Sequence, residues 1–144
     1  MTANPRACAL CLLLAASACG SVTEPFLLEF PSRRAFDDVE TAEVFALPVE
    51  NGDVCPDILL QEAEFGEVRG AQRTGNVPVT DFERGMVRLP DVPEGAIAYA
   101  AVALAGSQVL LTGCIVRNVY RDSTPLVISL VPTEEYRTRI EGER

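Results

Sequence analysis

Five cysteines, at positions 8, 11, 19, 55 and 114, are the residues of this 144-residue chain whose side chains could do the most varied chemistry. A thiolate can attack, hold a soft metal, take a lipid or pair into a disulfide. Cys55 and Cys114 lack the Cys-x-x-Cys spacing usual in redox pairs, and a metal centre there would need further ligands. The chain contains no histidine and no lysine. A serine or cysteine nucleophile is thereby deprived of its usual base and of the usual substitute for it. No catalytic residue is assigned, and neither a metal nor a cofactor is expected.

The acids offer little more. Asp37-Asp38 and Glu134-Glu135 are adjacent pairs, but neighbours in a strand point to opposite faces, which is wrong for two carboxylates sharing a substrate. Calcium wants six or more oxygens, and Asp37 to Glu40 or Glu50 to Asp53 supply only part of such a cage. Both sets read as solvated loop acids. Arg69 and Arg73, among Gly66, Gly70 and Gly75, raise the option of an anion site; an exposed, mobile connection between strands is the preferred reading.

Residues 1–18 have the parts of an export leader: a start with one cation, Arg6, an apolar run from Ala7 to Ala16, then small residues. The run is about half the ~20 residues needed to span a bilayer, so the segment reads as a signal peptide to be removed. Ala16-Ser17-Ala18 satisfies the ordinary small-x-small cleavage rule, which leaves plain secretion open.

With the two residues that follow, Ala16-Ser17-Ala18-Cys19-Gly20 resembles the lipobox of bacterial lipoproteins. That resemblance implies that Cys19 carries a diacylglycerol on sulfur and becomes the acylated first residue of the mature chain. Three acyl chains, palmitate among them, would hold it firmly, since each buried methylene contributes ~0.8 kcal/mol. Gly20, in place of an acid, points by analogy to the outer rather than the inner membrane. Residues 19–25 are then a short tether. Cys8 and Cys11 leave with the leader, and with Cys19 consumed by lipid, Cys55 and Cys114 can pair with no thiol left over. Such a bridge closes a loop of about 60 residues, worth about 4 kcal/mol in the chain-entropy estimate.

Removing the leader leaves about 126 residues, enough for one domain, with a net charge of about −10. Such a surface repels phosphate backbones, and no nucleic-acid partner is expected. Strands are expected at 26–30, 41–49, 96–105, 109–120 and 126–131, from β-branched and alternating apolar residues between turn signals. In the second strand Phe45, Leu47 and Val49 share a face; in the last, Leu126, Ile128 and Leu130 do. Residues 96–105 are rich in alanine, the best helix former, yet Gly95 and Gly106 fence them and a strand is assigned. A short helix is expected at 55–63, from Pro56 at its first turn, Asp57 beside it, and Leu59 with Ala63 four apart. The charged tail, 133–144, is expected to fray.

The fold class expected is an all-β antiparallel sandwich occupying 26–132. A strand from Phe82 to Leu89, then Asp91-Val92-Pro93-Glu94-Gly95, then a second strand resembles the edge of transthyretin-like domains, the group of the carboxypeptidase-regulatory-like modules. The resemblance implies an exported binding or spacer module and transfers no catalytic residue. The preferred function is a non-enzymatic envelope lipoprotein that binds a protein, peptide or glycan. The alternative is an enzyme or delivery accessory with a loop-borne site.

Overall fold

The computed structural model describes residues 26–50, 54–89, 95–118 and 125–143. The leader, Cys19, residues 51–53 and Asp91-Val92-Pro93-Glu94 lie outside them. In chain order the elements are β1 (Phe26–Glu29), α1 (Arg33–Asp38), β2 (Thr41–Pro48), α2 (Cys55–Phe65), β3 (Gln72–Arg73), β4 (Val77–Pro78), α3 (Val79–Glu83), β5 (Ala96–Ala105), β6 (Gln108–Asn118), β7 (Leu126–Ser129), β8 (Val131–Pro132) and α4 (Glu134–Gly142).

The main sheet is antiparallel, in the order β3-β2-β5-β6-β8, with β4 also on β2. At its centre β5 is an unbroken strand despite its six alanines, and the register shows why. Phe45 of β2 lies opposite Ala100, Val44 opposite Ala101 and Leu47 opposite Ala98, whereas Tyr99 lies opposite Ala46. Large residues on one strand meet small ones on the next, the alternation by which a core fills without strain. Residues 97–103 are all buried, as a strand covered on both faces must be. β2 is likewise no half-buried strand, because Ala42, Val44 and Ala46 fill one core while Phe45 enters the other. Gly106, at φ +58°, makes the tight turn into β6, and the Glu40 carboxylate accepts from its N–H at 3.1 Å.

On one face of the sheet lie β1 and β7, a parallel pair in register from Phe26↔Leu126 to Glu29↔Ser129. The expected strand 126–131 is thus two strands in two sheets: Leu130 donates to the Glu29 carbonyl at 2.8 Å, and then Val131 and Pro132 pair with β6. Leu126 and Ile128 point into the core and Val127 and Ser129 outward, as expected. β7 crosses β6 so closely that a Cβ on Gly113 would lie 2.6 Å from the Ser129 carbonyl oxygen and 3.0 Å from Ile128. Only glycine admits that approach.

Strands take 41% of the described residues and helices 30%, so the chain is β-rich but not all-β. Three of the helices correct the expectations. α1 begins where Ser32 Oγ accepts from the Ala35 N–H at 3.1 Å. The expected strand at 82–89 is instead α3 followed by irregular chain: Val79 and Phe82 of α3 are buried, Gly85 at φ +63° ends the turn, and Val87 and Leu89 enter the core without a strand partner.

The tail does not fray. Thr133 caps α4 by accepting from the Tyr136 N–H, and Tyr136, 1% exposed, donates its hydroxyl to Asp38 at 2.7 Å. Among the described residues no helix is long and apolar enough to cross a membrane.

Gly113→Ala is expected to lower stability by about 1–3 kcal/mol, measured as a shift in urea midpoint, because a backbone oxygen blocks the new methyl. A second expectation concerns alkaline pH. Burial, helped by the hydrogen bond to Asp38, pushes the Tyr136 phenol up from 10.0 to about 12. A group raised in the folded state contributes fully below its unfolded pKa, so this contribution is complete below pH 10 and lost as pH climbs to 12. No lysine titrates over that interval to mask it. In Tyr136→Phe the fall in urea midpoint between pH 10 and 12 is expected to be smaller than in the parent chain.

Candidate functional site: a cleft beside the stapled helix

The opposite face of the sheet is covered by α2. Pro56 opens the helix with no N–H to waste, Asp57 favours its N-terminal dipole, and Gly66 at φ +62° closes it, donating to the Glu62 carbonyl at 2.8 Å. Only Ile58 of α2 is fully buried, against Phe45, Ala98, Ala100 and Val102. So thin an apolar seam would hold an eleven-residue helix weakly. Covalent attachment compensates: Cys55, its first residue, is bonded to Cys114 of β6, with the Cα atoms 5.6 Å apart. The expected pairing is present, and it pins one end of α2 to the sheet.

At the other end of the helix an ion cluster does the holding. Arg73 reaches from β3 between two carboxylates. Its Nε and Nη2 donate to Glu43 at 2.8 and 3.1 Å, and Nη2 and Nη1 donate to Glu62 at 2.7 and 3.2 Å. The guanidinium also lies 4.7 Å from the ring centroid of Phe45. Two forked contacts are the strong form of such pairing, and the three side chains are at most 24% exposed. The Arg73 pKa is raised further, first by the hydrogen bonds to Glu43, with those to Glu62 assisting against the opposing effect of burial.

The expected mobile connection at 66–78 is therefore largely ordered against β2: Thr74 exchanges hydrogen bonds with Val44, donating its N–H and accepting at its Oγ1. Nor do the two arginines form an anion site. Arg73 faces acids, while Arg69 lies on open surface near Gln61 and Phe65. Asp37 pairs with Arg33, and Asp38 serves Tyr136. Glu134 and Glu135 sit in the first turn of α4, where their charge complements the helix dipole. Among the described residues no group of three or more acids or cysteines could hold a metal ion.

Between the last turn of α2, the β5–β6 hairpin end of the sheet and the start of α4 lies an open cleft of about 530 Å³. Its floor is apolar: Leu59 and Ala63 from the helix, and Val102, Leu104 and Val109 from the sheet. Glu43 and Glu62 stand on one side and Glu135 on the other, the last accepting from Gln108 Nε2 at 2.8 Å. That volume lies within the ~300–1,000 Å³ of ligand sites, and an apolar floor with a few polar groups is their usual chemistry. The cleft exists because α2 is too short to roof the hairpin end of β5 and β6. Its residues are scattered over five elements; local spacing marks Leu59 and Ala63 as a helix pair, Gly66 as part of a loop and Glu135 as one of two adjacent acids, and brings none of them together.

No protein-family model matches the chain, and no curated protein or solved structure resembles it at a significant level.

Removing the guanidinium leaves two part-buried carboxylates facing one another. Arg73→Met is expected to cost about 2 kcal/mol in denaturant unfolding. Adding Glu43→Gln and Glu62→Gln to that variant is expected to recover part of the loss, since like charges then no longer oppose each other.

Proposed function

We propose that the chain is a non-enzymatic lipoprotein of the bacterial envelope, anchored through acylated Cys19, whose β-rich body is a binding module. One observation carries the reading. The Cys55–Cys114 disulfide ties residues 59 apart in sequence, and such bonds persist in oxidising compartments outside the cytosol. With those two cysteines paired and Cys8 and Cys11 in the leader, Cys19 is the thiol left for lipid.

The placement of β1 supports the tether. Phe26 is buried in the core, so about seven residues, at most roughly 25 Å of extended chain, separate the body from the acylated position. The body then works close to the bilayer. A small sheet, β1 with β7, packed over a larger antiparallel one is the part of the architecture that supports a sandwich of the transthyretin-like kind. The cleft beside α2 is the surface on which a protein, peptide or glycan partner would seat. Gly20 after the cysteine favours the outer membrane, by analogy with sorting in that family.

Growth with labelled palmitate tests the anchor. The parent chain is expected to take up label and to fractionate with membranes. Cys19→Ser is expected to take up none and to appear in the soluble fraction with the Cys55–Cys114 bond intact. An unlabelled parent chain would overturn the reading.

A further inference from the structure

We propose that the cleft binds a short extended peptide segment in which a basic side chain adjoins an aliphatic one. The proposal deepens the binding-module reading and rests on it, by naming the class of ligand.

Two independent features of the cleft favour a cation. The first is its rim: Glu43, Glu62 and Glu135 supply three negative charges, and of these Arg73 offsets one. Arg139 approaches the same rim only through Gln108 Oε1, at 3.4 Å. The second is the helix end. Ala63 and Gly66 line the cleft, so the carbonyl end of α2, with its partial negative charge, lies beside it. No basic residue occupies the last turn of α2 to neutralise it. In a helix closed by Gly66, only one of the terminal carbonyls is taken by the cap, the Glu62 carbonyl.

The apolar part of the ligand is set by the floor, where Leu59, Ala63, Val102, Leu104 and Val109 offer aliphatic surface and no aromatic ring. Aliphatic chains suit such a floor through area burial alone. Asn76, Gln108, Thr112 and Thr133 stand around it with donors and acceptors for a peptide backbone. The length follows from the sheet. The cleft crosses β2, β5 and β6 and reaches α4, and strands spaced ~4.8 Å apart make that span roughly 15 Å, about four extended residues at ~3.3 Å each. Arg73 shows the chemistry at work inside the chain, with its guanidinium shared by Glu43 and Glu62 and its face on an apolar ring.

The test uses the full disulfide-bonded chain in detergent and a fluorescent tetrapeptide of alternating leucine and arginine, read by anisotropy. Matched peptides with glutamate or serine in place of arginine are the controls. The arginine peptide is expected to bind and both controls to fail, with affinity falling as salt rises. Ala63→Arg places a cation and its stem in the cleft from an exposed helix position and is expected to weaken binding more than about tenfold. Glu135→Arg is expected to weaken it about three- to tenfold. Glu83→Arg, on α3 across the sheet, is expected to change nothing.

Equal loss with Glu83→Arg and Glu135→Arg would show attraction to overall charge and overturn the site. Binding of the glutamate or serine peptide that Ala63→Arg abolishes would overturn the ligand class while leaving the binding module standing. Indifference to Ala63→Arg, or absence of binding by all three peptides, would overturn the proposal. The anchor is tested separately by palmitate labelling, which none of these outcomes touches.

Discussion

The double-sided burial of β5 is the constraint around which the molecule is arranged. A strand of ten residues with both faces apolar cannot stand against water on either side, so each face requires a cover. One cover is supplied by β1, β7 and three helices, with Phe26, Phe82, Leu126 and Tyr136 meeting Tyr99 and Ala101. The other is α2, with Val68 of the connection that follows it. The two sides differ in how they are held. The first has large side chains enough to hold by packing, whereas the second places a single fully buried helix residue on the sheet and relies on a covalent bond and an ion cluster.

That asymmetry accounts for the location of the candidate site. Alanines at 98 and 100 leave room for Phe45, and the helix over them needs only to shield small residues. Where the sheet continues past the helix, toward Leu104 and Val109, nothing among the described residues covers it, and the cleft results. Charge gathers at its edges because two of the three acids there also serve the fold. Glu43 and Glu62 hold α2 to the sheet edge through Arg73. Under the proposed reading, structure and recognition share side chains, and a change at either glutamate alters both.

Much of this was legible in the sequence where the signal was local. Gly95 and Gly106 bounded β5 correctly against its alanine content, Pro56 and Asp57 marked α2, and the two cysteines were placed on the elements they join. What escaped was set by distant partners. The strand expected at 82–89 rests on the resemblance to a transthyretin-like edge, whereas its inward residues, Val87 and Leu89, fill a core with no strand neighbour to pair with. α4 reads as a charged tail because six of its nine residues are polar, and the burial of Tyr136 depends on Asp38, 98 positions away. The Arg73 cluster was invisible for the same reason: its nearer acid is eleven residues off, and the other lies across a strand register that periodicity cannot fix. The Leu59 and Ala63 spacing was seen as a helix signal and not as a wall.

The parallel ladder between Phe26 and Leu126 sets an order on assembly. β1 is the first strand of the body, and among the described residues its only partner is the seventh. A polypeptide that emerges amino end first must therefore hold four apolar-flanked residues unsatisfied until a hundred more have followed. Closure of the small sheet is therefore a late event rather than an early one, made from the same end of the chain that docks α4 through Tyr136 and Asp38.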